Sequence, residues 1–264
     1  MHPLLLLTAA AHGVVAVACL VARLLPARTV MGVHPALKPF KFAVSIALFL
    51  LSMGMILPCL SVSETTRAGL AWLFASTMVV EMIAIVAQAL RGTTSHFNVR
   101  RPLDKAFWNA MFVAIVLATV GIVWVALAAM VRPLLDEGGR ELPTLLAVAW
   151  RGGLILLLLA PLSGFAMGGR LRHSVGGEDG GPGLPLTNWS VRHGDLRVSH
   201  FFALHAVQLF PLVAWALLRT SIPQGARFAL LLAVVGIASA ITVGTLVQAF
   251  AGHPIWRAKA PPSV

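Results

Sequence analysis

Residues 68–90 read AGLAWLFASTMVVEMIAIVAQAL. This stretch carries one charge, Glu81, and no proline. About 20 mainly apolar residues cross the hydrocarbon layer of a bilayer as a helix. The stretch therefore predicts a membrane span with a single acid inside it. Six others qualify, giving spans at about 3–25, 39–60, 68–90, 104–131, 143–167, 198–219 and 227–250. Breakers separate them: Pro26, Pro35 and Pro39; Ser61 to Arg67; Arg91 to Pro102; Pro133 to Pro143; and Pro223 with Gly225. The fold expected is all-α, a polytopic transmembrane helical bundle forming one integral membrane domain.

Composition agrees. Of 264 residues, 58% are hydrophobic and 11% charged, against about 25% charged in soluble domains. Mean hydropathy is +0.88. A soluble domain, a nucleic-acid-binding protein and a disordered tail are excluded, and the partner implied is the lipid bilayer. The net charge of +11 comes from basic residues clustered in loops, as topology requires. Cys19 and Cys59 both lie in apolar stretches, which speaks against a disulfide framework or a cysteine zinc site. Met1-His2-Pro3 runs into Leu4 without a preceding Lys or Arg, so the first apolar run reads as a retained span rather than a cleaved leader.

Orientation follows from where Lys and Arg fall. Loops one, three and five hold Arg23, Arg28, Lys38 and Lys41; Arg91, Arg100, Arg101 and Lys105; Arg170, Arg172, Arg192 and Arg197. The tail adds Arg257 and Lys259. Opposite them are only Arg67, Arg132, Arg140, Arg219 and Arg227. The expectation is an N-terminus outside, a cytoplasmic C-terminus and a bacterial inner (plasma) membrane.

Ionisable groups inside spans are expensive and tend to be functional. Glu81 is the acid within a span and Arg151 the deep base; His12, His200 and His205 are in spans too. On the sixth span, Arg197, His200, His205 and Gln208 fall within an arc of about 140° at 100° per residue, opposite Phe202, Ala206, Leu209 and Val213. Such a stripe should face protein or water. Measured from the cytoplasmic ends, Glu81 and His205 lie about 14 and 12 Å deep. Gln88 shares a face with Glu81, and His96 follows that helix. One cytoplasm-facing pocket is expected, open to a small-molecule ligand at its mouth. His200, His205, His96 and Glu81 could hold a transition metal, or the histidines a b-type haem with Arg197 near its propionates. A Glu/His chain could equally relay protons in a transporter, and a buried network could simply lock helices together. Arg151 could pair with Glu81 or snorkel outward; His12 reads as a satisfied core histidine. Lys38 or Lys41, at the start of the second span, could bind an anion at the same mouth or anchor to headgroups.

The long loop 168–197 is rich in Gly, yet contains Asp179, Asn188, Trp189 and Asp195. That chemistry suggests an ordered cytoplasmic cap rather than a linker. GGEDGGPGLP lacks the phosphate-loop pattern, and its acids would repel phosphate.

Three segments carry a resemblance: HPALKPFKFAVSIALF (34–49), QALRGTTSHFN (88–98) and GGEDGGPGLPLTNWSVRHGDLRVSHFFALHAVQLFPL (176–212). In these the chain resembles a family of uncharacterised bacterial multi-pass membrane proteins. The family commonly has Pro-Asp where this chain has Glu178-Asp179. The resemblance implies a fold and a signature surface at the cytoplasmic side, without an activity or cofactor. The expected roles are, first, metal- or haem-linked redox; second, small-solute or proton-coupled transport; third, a structural or sensory membrane partner.

Overall fold

The computed structural model describes residues 1–256; Arg257 and Lys259 lie outside the described residues. The helices are α1 (Pro3–Ala22), α2 (Leu37–Ile56), α3 (Glu64–Leu90), α4 (Pro102–Val131), α5 (Thr144–Leu157), α6 (Leu159–Arg170), α7 (Leu196–Leu218) and α8 (Gln224–Phe250). Among the described residues seven helical segments are long and apolar enough to cross a membrane, α5 and α6 together forming one of them, Thr144–Arg170. Two short strands, β1 (Ser174–Val175) and β2 (Gly194–Asp195), are additions to the all-α expectation.

The fifth span is not the continuous helix expected over 143–167. It breaks at Leu158, between α5 and α6. Pro161 has no N–H to offer the Leu157 carbonyl, and its ring crowds that position.

The chain divides into two compact units, Met1–Leu154 and a second beginning at Ile155. In the first, α1 packs on α2 and α3, α2 on α3, and α3 on α4. Phe74, Leu50, Met53 and Leu5 are fully buried there, and Phe49 meets Phe74 edge-on at 5.5 Å. Gly121 allows the α3–α4 approach, since a Cβ there would sit 2.9 Å from Phe74. Ser63 caps α3, its side chain accepting from the Thr66 N–H. His12 is a satisfied core histidine: Nδ1 donates to the Thr8 carbonyl at 2.7 Å, and Nε2 lies 3.4 Å from that of Met78. Large apolar side chains such as Leu7, Val14, Val120 and Leu127 are exposed on the outer faces, as a lipid-facing surface requires.

In the second unit, α7 packs on α6 and α8. β1 and β2 pair antiparallel, Ser174 opposite Asp195 and Val175 opposite Gly194. The segment between them is ordered. Asp179 accepts from the N–H groups of His173 and Ser174 at 3.1 and 2.9 Å, Gly183 pairs with Ser190, and Trp189 packs against Phe201 and Phe202. β2 lies against the end of α8, where a Cβ on Gly194 would run into the Ala249 carbonyl oxygen.

Gly194 therefore sets how closely the cap meets α8. Gly194→Val should destabilise by about 2 kcal/mol, a fall of about 5 °C in Tm. Gly225→Ala, within α8 and with open space around it, should not lower Tm and should raise it slightly. Thermal unfolding in detergent measures both.

Candidate functional site

Glu81 lies on α3, about 14 Å from its C-terminal end at 1.5 Å per residue. It is only 6% exposed. Among the described residues no hydrogen bond reaches its carboxyl group, and the charge acting on it is the Lys38 ammonium. Lys38 stands at the start of α2, its Nζ 5.7 Å from the Phe42 ring centre. Phe42 in turn meets His96 at 5.1 Å between ring centres. His96 contacts Phe97 and Trp108, at 5.9 and 6.1 Å. The beginning of α2, the segment after α3 and the beginning of α4 thus converge at one end of this unit, above Glu81. Phe97 adopts φ +62 within that cluster, a left-handed conformation that costs an aromatic residue energy.

Gln88, seven residues from Glu81 and fully buried, belongs to a polar knot. Its Nε2 donates to Asp104 Oδ1 at 3.0 Å, and Arg91 Nη1 donates to the same oxygen at 2.6 Å and to Gln88 Oε1. Asp104 is 4% exposed. This second buried acid was not singled out, because it opens a span and looks like a surface residue in sequence. The nearby amide and guanidinium, Gln88 and Arg91, were its signal.

Arg151 does not pair with Glu81. Its Nε donates to the Ala129 carbonyl at 2.9 Å and its Nη2 to that of Arg132 at 3.2 Å. The side chain reaches the carbonyls at the C-terminal end of α4, where a cation suits the helix dipole.

In the second unit, His200 Nδ1 donates to the Ala160 carbonyl at 2.9 Å and lies 3.1 Å from Ser163 Oγ. His205 Nδ1 pairs with Gln208 Oε1 at 3.2 Å, and its ring lies 4.5 Å from that of Phe201. The stripe is nevertheless not the deepest face of α7. Ala203, Ala206, Val207, Phe210 and Ala214 are among its buried residues, whereas His205 and Gln208 are half-buried. The physical reason is packing: alanines let neighbouring helices approach closely. Ala206, on the apolar face opposite the stripe, is among the buried residues.

The cap residues form one network at the N-terminus of α7. Asp195 is the N-cap, accepting from the Arg197 N–H at 3.1 Å. Arg197 grips its carboxylate through Nε and Nη2, at 2.9 and 2.6 Å, and also donates to the Asn188 carbonyl. The Ser190 N–H adds a bond at 2.8 Å, and His173 Nδ1 lies 3.6 Å away. Burial acts to raise the Asp195 pKa. The hydrogen bonds and charge of Arg197, with His173 and Ser190, outweigh it and hold the carboxyl below the usual range. Arg197 is thus committed to Asp195.

As metal ligands the histidines find little company. Among the described residues no group of three or more His, Cys, Asp or Glu is placed to hold a metal ion. The helices packed on α7, α6 and α8, carry no histidine to face His200 or His205 across a haem. No protein-family model, curated protein or solved structure matches the chain.

A carboxylate whose pKa is lowered by folding stabilises fully above its unfolded value, about 4 for Asp. That contribution is lost as pH falls through the lower folded value. Asp195→Asn should therefore cost about 3 kcal/mol near pH 7 and make the acid limb of stability shallower. Tm against pH for both proteins reads the difference.

Proposed function

We propose that the chain is a bacterial inner-membrane protein that moves protons, or a small solute coupled to them, by way of Glu81. The observation that carries this is an acid buried at membrane depth, without a hydrogen-bond partner among the described residues, under the influence of Lys38. A structural acid at this depth would be expected to be tied down, as Asp104 is by Gln88 and Arg91. Glu81 is instead positioned to gain and lose a proton. The Lys38–Phe42–His96 side provides the mouth, which the loop charges assign to the cytoplasm. Two of the three signature segments meet there, in keeping with the resemblance to the bacterial multi-pass family. Metal- or haem-linked redox draws less support, since among the described residues no convergent set of metal-ligating groups accompanies His200 and His205. A partner-docking role would rest on the cap, whose polar residues are mostly occupied with one another.

Proteoliposomes loaded with pyranine and energised by a valinomycin potassium gradient test this. The natural protein should collapse the pH gradient at least tenfold faster than Glu81→Gln, which keeps the shape and cannot ionise. Equal rates would overturn the proposal.

A further inference from the structure

Independently of Glu81, the first unit has a groove on its outer surface between α3 and α4. It is an open groove of about 480 Å³, lined by Ser76, Thr77 and Val80 on α3 and by Asn109, Ala110, Val113, Ala114 and Leu117 on α4. The Ser76 and Thr77 hydroxyls are turned back to their own helix, both donating to the Leu73 carbonyl, so the groove is apolar below Asn109. An i, i+4 ridge on α4 runs Lys105, Asn109, Val113, Leu117, the last three of them in the groove wall, with Arg101, the extended N-cap residue, just before it. Read downward, this is two cations, an amide and two apolar side chains. Arg101, Lys105 and Asn109 are all exposed. Asp104, the buried acid of this turn, is ion-paired to Arg91 and is also acted on by the Arg101 charge, so Arg91, Arg101 and Lys105 together outnumber it.

Depth matches the sequence of chemistry. α4 has 30 residues, about 45 Å, whereas the hydrocarbon layer is about 30 Å thick. The excess places its first turns among lipid headgroups. Lys105 stands about 6 Å above Asn109 and Leu117 about 12 Å below it. A diacyl phospholipid arrays its parts in the same order along the bilayer normal: anionic phosphate, polar ester linkage, acyl chain.

We infer that the α3–α4 groove is a binding site for an anionic phospholipid, its phosphate at Arg101 and Lys105, its ester region at Asn109 and one acyl chain along Val113 and Leu117. Cations at this level attract anionic headgroups, and the groove gives one lipid a defined place.

Thermal unfolding of the purified full-length chain, delipidated in detergent, is the test, with phosphatidylglycerol, phosphatidylcholine or glycerol phosphate added. Phosphatidylglycerol should raise Tm by several degrees, and the other two should not. Arg101→Ala with Lys105→Ala should remove most of that shift. Ala110→Trp, which fills the groove and keeps the charges, should remove it as well. The control pair Arg23→Ala with Arg28→Ala, equal in charge lost and exposed elsewhere in the unit, should keep it. Should Ala110→Trp fail to fold, the charge pairs decide alone. The inference is overturned by equal shifts with phosphatidylcholine, by an equal shift with glycerol phosphate, or by a full shift in the Arg101/Lys105 variant.

Discussion

Lipid offers no hydrogen bonds. Every polar group carried into the bilayer must therefore be satisfied by the protein itself or kept for a purpose. Most polar groups on these helices obey the first clause. Thr8, Ser52, Thr77 and Thr242 donate to carbonyls in their own helices. His12 reaches across to α3, and Gln88 binds Asp104. Arg151 climbs to the end of α4. Against that background Glu81 stands apart: it is the buried acid of α3 to which no hydrogen bond comes among the described residues.

Much of the architecture could be read from the chain. Long apolar runs punctuated by proline and glycine placed seven spans within a few residues of their observed limits. That transfer works because the length of a span is set by the bilayer and not by tertiary contacts. Non-linker residues within a Gly-rich loop indicated order, and Asp179, Asn188, Trp189 and Asp195 are each engaged in the cap.

Other features were hidden because they depend on neighbours. Helical periodicity placed His205 and Gln208 on one stripe of α7, but could not say which face is the core; Ala203, Val207 and Phe210 won it by allowing close packing. Asp104 looked like a boundary residue until Gln88 and Arg91 closed around it. The break at Leu158 follows from Pro161, yet in sequence the apolar run continues straight through. The meeting of Phe42, His96 and Trp108 joins residues from three elements.

Infrared difference spectroscopy of the reconstituted protein tests the Glu81 account most directly, because it sees the carboxyl group itself. Between acidic and alkaline buffer the natural protein should show the C=O stretch of a buried protonated carboxyl that disappears reversibly, and Glu81→Gln should lack that band. A band that is unchanged in Glu81→Gln, or the absence of any pH-dependent buried carboxyl signal, would contradict Glu81 as the group that takes up and releases protons.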